Sequence, residues 1–372
     1  MVNILFILGT RPEAIKLAPV IKEFNKYPQK FKVKICNTGQ HKEMSMQILN
    51  FFGIKPDYNL NIMKKNQDLY TLTSNLVLAL KEIFKIEKPD ITFVQGDTTT
   101  AFCGALTSFY SKVPIAHIEA GLRSFNKYSP FPEEINRVLI SHLADYHFAP
   151  TLKAKENLEN EGIKENIWVV GNTVIDALFL ALRKIKETGE NKFYQKYNFI
   201  DFSKKIILVT GHRRENFGKP FENVCLALKE IVNSYKNAEI VFPVHLNPNV
   251  RQYVYQILKN HPRIHLLEPL DYPDLVWLLS KSYFVITDSG GIQEEAPALG
   301  KPVLVTREVT ERIEAIEAGT AKLVGTSKEK IVNEALKLLT NLEEYNKMAK
   351  ATNPYGDGNA SQRILKIVES FI

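Results

Sequence analysis

The sequence predicts an α/β protein built from two successive open parallel sheets flanked by helices. Short β-branched and aromatic runs alternate with helical stretches almost throughout, which is the pattern of parallel sheets. The alternation pauses over a helix and a polar run that ends near Lys205, then restarts at Ile206. The length, 372 residues, suits two domains of roughly 150–200 residues better than one. Two open sheets in succession create a cleft, lined by the loops at the carboxyl ends of their strands.

The first half opens with a strand over Val2–Leu8. Pro12 then suits the first turn of a helix over about Glu13–Phe24. A strand at Phe31–Asn37 ends in Thr38-Gly39-Gln40-His41, and helices follow over about Glu43–Phe51 and Leu69–Ile86. After the strand Ile91–Gln95, Gly96-Asp97-Thr98-Thr99-Thr100 caps a helix that runs to Tyr110. Val113–Ile118 is a strand ending in Glu119-Ala120-Gly121. The loop Arg123–Pro132, rich in Ser, Pro and aromatics, leads to a helix starting near Glu133. Tyr146–Ala149 and Ile167–Val170 are the last strands of this half, and a helix over about Val174–Glu187 begins the crossing.

In the second half, Ile206–Thr210 is a strand followed by the loop GHRRENFG. A helix covers about Glu222–Tyr235, and the strand Glu239–Val244 ends in His245-Leu246-Asn247-Pro248. His265–Leu267 is a strand and Leu275–Ser280 lies in a helix. Tyr283–Thr287 is a buried parallel strand, Asp288-Ser289-Gly290-Gly291 a turn, and Ile292–Leu299 a helix ended by Gly300. Such a helix start at the carboxyl end of a parallel strand is a ready anion site. Helices near Arg312–Ala318, from about Lys328 and over Ala360–Phe371 complete the chain.

The polar residues are concentrated at one set of strand ends. Arg11, Gln40-His41, Asp97, Glu119, His212-Arg213-Arg214, His245 and Ser289-Gly290-Gly291 all follow strands. The opposite ends look bland, with Lys32, Lys88, Lys112 and Lys205 among their residues. Each residue also has a plainer reading. Arg11 and Lys16 fit ordinary surface charges, Asp97 fits a helix cap, and Glu133 and Glu134 fit first-turn charges favoured by the helix dipole, Glu134 above all. His261 and His265 fit structural histidines. Glu119 is the exception, because a carboxylate ending a buried strand is seldom placed without a partner.

Composition narrows the function. A net charge of +7 is mild for this length, and lysines are spread without a basic run, so nucleic acid is not the expected partner. The apolar N-terminus is too short and lacks the basic flank of a signal peptide, and no run of about 18 apolar residues predicts a membrane span. Three scattered cysteines argue for a reducing compartment and against disulfides or structural zinc. GxGxxG after the first strand, GxxxxGK[ST], HExxH and GxSxG are all missing. Carboxylates and basic groups around a diphosphate site remain, which suits acid/base chemistry on a nucleotide-linked substrate.

Taken in order, GTRPEAIKLAP, GQHKEM, QGDTTT, HIEAGLRS, SPFPEE, GNTVIDAL, VTGHRREN, FPVHLNPNVR, TDSGGIQEEAPALGKPVLV, TER and NPYGDGNAS resemble the non-hydrolysing UDP-N-acetylglucosamine 2-epimerases. The resemblance implies two Rossmann-like domains in a glycosyltransferase-B arrangement, over 1–172 plus 358–372 and over 173–357. It implies a cytoplasmic homodimer that interconverts UDP-GlcNAc and UDP-ManNAc for polysaccharide precursors, without metal or other cofactor. The reaction it implies eliminates UDP to give 2-acetamidoglucal and adds it back after reprotonation on the other face. Asp97, Glu119 and Glu133 would be the catalytic carboxylates, and His212 would act on the leaving diphosphate. Arg11 and Lys16 would touch the nucleotide-sugar, and Ser289, Gly290 and Gly291 would hold the β-phosphate. Glu295 would take the ribose hydroxyls, with Arg312 on the phosphate side. Some members bind a second UDP-GlcNAc as activator, and Gln40, Glu133, Arg213 and His245 match that site, while Glu43 and Asn66 depart from it. The rival readings are a glycosyltransferase of the same architecture, the hydrolysing relative, an epimerase of a related UDP-acetamido sugar, and a nucleotide-binding module without activity.

Overall fold

The computed structural model describes residues 1–40, 42–63 and 67–371. His41, expected at a strand end, and Asn66, noted as a departure, lie outside the described residues. The chain forms two compact units, Met1–Leu180 with Tyr355–Ile372 and Ala181–Pro354.

The first unit holds a seven-stranded sheet of β1 (Val2–Leu8), β2 (Phe31–Asn37), β3 (Tyr58–Asn59), β4 (Ile91–Gln95), β5 (Ile115–Ile118), β6 (Tyr146–Ala149) and β7 (Ile167–Val169). The strand order is β3-β2-β1-β4-β5-β6-β7, and every recorded pairing is parallel. β1 from Ile4 to Leu8 and the whole of β4 are buried on both faces and mostly apolar, as a central strand under helices requires. The second unit repeats the plan with β8 (Lys205–Thr210), β9 (Ala238–Pro243), β10 (Ile264–Leu267), β11 (Phe284–Thr287), β12 (Val303–Val305) and β13 (Ala321–Leu323), in the order β10-β9-β8-β11-β12-β13. Both sheets are doubly wound in the Rossmann order, so the expected α/β class and its two halves are observed.

In an open sheet of this order, a ligand crevice forms where the winding reverses, between the first and fourth strands of the sheet. Those strands are β1 and β4 in one unit and β8 and β11 in the other. Four loops therefore matter most: Gly9–Arg11, Gly96–Thr98, Gly211–Arg213 and Asp288–Gly291.

The sequence reading divides the chain at 172/173 and 357/358, whereas the compact units divide at 180/181 and 354/355. The shift has a local cause. Asp176, in the helix Thr173–Thr188, accepts from the backbone N–H of Ser361 at 2.7 Å and of Ala360 at 3.2 Å. Asn172 N–H donates to the Tyr355 carbonyl at 2.7 Å. The start of that helix is thereby tied to the helix Ala360–Glu369, which itself packs on the helix Arg11–Phe24. Helices Leu152–Asn160 and Pro248–Leu258 and the short strands β3 and β13 are additions to the elements read from sequence.

Candidate active site

In the first unit, the loops after β1, β4 and β5 surround a cavity of about 340 Å³. Lys16, Gln40, Asp97, Glu119 and Glu133 all line it, so five residues expected from sequence come together. Glu119 is the hub. Its carboxylate takes the Lys16 ammonium at 2.5 and 2.6 Å, Asn172 Nδ2 at 2.9 Å and Gln95 Nε2. Its backbone sits at φ 64°, in the left-handed region that non-glycine residues seldom adopt, and strain of about 1–3 kcal/mol at such a residue is a mark of functional sites. Glu119 is buried, so these partners replace the water a carboxylate would otherwise hold.

Asp97 does not cap the helix that follows it. Thr98 does, accepting from Ala101 N–H at 3.0 Å. The Asp97 carboxylate is thus left to Arg137, and its carbonyl accepts from Asn136 Nδ2 at 2.9 Å. Glu134 is likewise more than a first-turn charge. It is buried and accepts from Ser124 N–H at 3.0 Å and Phe125 N–H at 2.9 Å, so it clasps the loop Arg123–Pro132. Glu133, beside it, faces the cavity instead. Gln40 accepts from Thr100 Oγ1 at 2.9 Å. Arg11 opens the helix Arg11–Phe24 but is not among the cavity's lining residues.

A residue without a sequence-level role, Glu13, ties this crevice together. It is fully buried. One carboxylate oxygen accepts from the N–H of Gly9 at 3.0 Å and of Thr10 at 2.7 Å, and the other accepts from Thr98 Oγ1 at 2.7 Å. It therefore joins the loop after β1 to the loop after β4. Burial outweighs these bonds and pushes its carboxyl from 4.5 up to about 7. The capping-box spacing Thr10-x-x-Glu13 was the available signal. Behind the same turn, His117 Nε2 lies 2.8 Å from the Gly96 carbonyl, and burial holds that imidazole neutral by lowering its pKa to about 3.

In the second unit, Asp288 plays the corresponding part. It directly follows β11, is fully buried, and accepts from the N–H of His212 at 2.8 Å and of Arg213 at 2.9 Å in the loop after β8. The His212 ring stacks on His245 with centroids 5.5 Å apart. Burial lowers the His212 pKa, opposed by Asp288 and reinforced by Arg213 and His245. Next to it, the helix Gly290–Ala298 starts two residues earlier than expected and has no side-chain cap at Ser289. Its first backbone N–H groups carry the positive end of the helix dipole. Arg312 reaches the same end: a Cβ on Gly290 would stand 3.4 Å from its guanidinium carbon, and its Nε donates to Glu294 at 2.7 Å. Glu295 is buried in the same helix, and Gly291 is exposed. His261 and His265 are satisfied by Asn233 and Glu239, as structural histidines should be. Among the described residues, no cluster of His, Cys, Asp and Glu fits a metal ion.

Two doubly wound sheets, each with its polar residues at the winding reversal, define an α/β enzyme of the nucleotide-binding kind. The family model described as UDP-N-acetylglucosamine 2-epimerase matches residues 22–369. The chain belongs to the UDP-N-acetylglucosamine 2-epimerase family. It is 54% identical to the UDP-N-acetylglucosamine 2-epimerase of Campylobacter jejuni, over 98% of this chain and 97% of that one. It is 50% identical to the enzyme of the same name from Salmonella typhimurium, over 99% of both. The crystal structure of UDP-GlcNAc 2-epimerase from Neisseria meningitidis bound to UDP-GlcNAc is similar with a TM-score of 0.91 and 49% identity, over 99% of this chain and 100% of that one.

Proposed function

We propose that this chain interconverts UDP-GlcNAc and UDP-ManNAc by eliminating UDP to 2-acetamidoglucal and adding it back. The observation that carries the reading is the meeting of Asp97, Glu119, Glu133 and Lys16 around one cavity in a member of this family. The C2 proton has no neighbouring carbonyl to acidify it, so its removal must be coupled to departure of the diphosphate. Asp97, Glu119 and Glu133 supply the acids and bases around C2. His212, Arg312 and the N–H groups of the helix start at Ser289, Gly290 and Gly291 offset charge on the leaving β-phosphate. Lys16 and Arg11 contact the nucleotide-sugar, and Glu295 takes the ribose hydroxyls.

The test is incubation with UDP-GlcNAc and separation of the products by anion exchange. UDP-ManNAc should form up to an equilibrium mixture, and Asp97→Asn, Glu119→Gln and Glu133→Gln should each lower kcat by about 10²–10⁴-fold. Free ManNAc with UDP would assign the hydrolysing reaction instead. No turnover without an added acceptor would favour a glycosyltransferase.

Three further parts of the reading extend this one. UDP-GlcNAc acts as its own activator through Gln40, Glu133, Arg213 and His245; a hyperbolic rate curve, with UDP-ManNAc turning over unaided, contradicts that. The enzyme works as a homodimer in the cytoplasm, supplying polysaccharide precursors. An apolar groove of about 940 Å³ with Tyr70, Leu78, Tyr110 and Phe131 exposed supports the dimer, which sedimentation would detect. Three buried free thiols, with pKa values pushed up to about 12, suit a reducing compartment.

A further inference from the structure

Asp288 uses only half of its carboxylate to hold the loop after β8. Oδ2 accepts from the N–H groups of His212 and Arg213, and Asn216 Nδ2 stands 3.4 Å away. Oδ1 is buried and accepts no hydrogen bond from any described residue. His212 Nδ1 lies 3.4 Å from that oxygen. A buried carboxylate oxygen without a donor costs on the order of several kcal/mol, so such an atom aimed at a ring nitrogen calls for a proton between them. A small rotation of the imidazole completes the bond. Asp288 cannot turn to meet it, because its other oxygen is fixed by two backbone donors.

We propose that Asp288 is a positioning residue that fixes His212 as the Nδ1–H tautomer, so that every proton the ring gains or releases passes through Nε2. The inference rests on the reading that His212 acts on the leaving diphosphate. As one of the cavity carboxylates takes the C2 proton, the C2–H electron pair forms the C1=C2 bond, the C1–O pair leaves with the β-phosphate oxygen, and the Nε2 proton of the imidazolium goes to that oxygen. The neutral Nδ1–H ring remains, still bonded to Asp288. On re-addition, the C1=C2 pair takes a proton from a cavity carboxyl group at C2, the C1–O bond re-forms, and the phosphate proton returns to Nε2. Were the neutral ring to carry its proton on Nε2 instead, the base for that return would be missing. The charged and titratable groups acting on the ring are Asp288, Arg213 and His245, from the loops after β11, β8 and β9. Asp288 alone favours the imidazolium, against burial, Arg213 and His245.

The experiment is a long-range 1H–15N correlation spectrum of the full chain with 15N-labelled histidine and no substrate, with His212 identified by the signal lost in H212N. Above the ring's titration, wild-type His212 should show a protonated Nδ1 and a bare Nε2. In D288N an amide oxygen can still serve the two backbone N–H groups, while the NH2 faces Nδ1. The tautomer should then reverse, the ring pKa should fall by about 1 unit or more, and kcat should fall by about 10²–10⁴-fold with KM little changed. A proton on Nε2 in the wild type would overturn the inference. So would an unchanged tautomer and pKa in D288N. If D288N fails to fold, the wild-type spectrum alone decides. Absence of epimerase activity in the wild type would remove the proposed reaction and leave the tautomer result standing.

Discussion

Replacing Glu13 by Gln should make the protein's stability less dependent on pH, in a direction opposite to the usual effect of a carboxylate. Glu13 is fully buried and its pKa is raised from 4.5 to about 7. Between those values the folded protein holds a proton that the unfolded chain has lost. The stabilisation is thus fully present below 4.5 and is lost as pH rises through about 7. The span is 7 − 4.5 = 2.5 pH units, worth about 3 kcal/mol at about 1.4 kcal/mol per unit. Gln keeps the acceptor for Gly9 and Thr10 and can still reach Thr98, but does not titrate. E13Q should therefore gain about 3 kcal/mol on wild type between pH 4.5 and 8. At about 2–4 °C per kcal/mol for a unit of this size, the difference in Tm should move by about 6–12 °C. Paired thermal melts across that range measure it, since terms common to both proteins cancel. A difference that stays flat, or that turns against E13Q as pH rises, would refute the reasoning, because Glu13 would then be ionised in the fold throughout.

Other expectations come from the same site. Gly121 sits at φ +90° with Ala154 O only 2.1 Å from where a Cβ would stand, so Gly121→Ala should cost about 3 kcal/mol or more and lower Tm by about 6 °C or more. His117 and His147 are buried, with pKa values lowered from 6.5 to about 3 and about 4. Acid therefore protonates the unfolded chain first. Stability should fall from pH 6.5 towards 4, and His147→Phe should flatten part of that slope in thermal melts. Glu134→Ala frees two backbone N–H groups of the Arg123–Pro132 loop, so limited proteolysis there should quicken roughly tenfold. Glu133→Gln should leave the cleavage rate unchanged.

Much of the fold was legible because buried parallel strands leave a direct signal. Val2–Leu8, Ile91–Gln95 and Phe284–Thr287 are mostly apolar on both faces, and each is followed by small or polar residues. The two-residue strand Tyr58–Asn59 gave none, since it lies at a sheet edge and takes its register from β2. The helix Pro248–Leu258 carries Pro at its first turn and an Asn247 cap, signals that were present but read only as the loop His245-Leu246-Asn247-Pro248 after β9. At the site, residues at strand ends could be chosen from sequence because topology alone brings those ends together. The residues that hold them could not. Glu13 and Asp288 act by reaching across to another loop, and Asn172 reaches Glu119 across 53 positions. Such contacts depend on packing, to which local pattern is blind. Asp97 and Glu134 show the same limit. Both suited helix-start roles, and it is the choice of Thr98 as cap and the course of the Arg123–Pro132 loop that gives each carboxylate other work.

Removal and replacement of the C2 proton of a UDP-linked acetamido sugar is the step on which the proposed reaction turns. Proton NMR of the purified protein with UDP-GlcNAc in D2O tests it most directly. UDP-ManNAc should appear carrying deuterium at C2, the recovered UDP-GlcNAc should acquire the same label, and Glu119→Gln should lose both signals. UDP-GlcNAc that stays unlabelled and unconverted after long incubation with folded protein would contradict it.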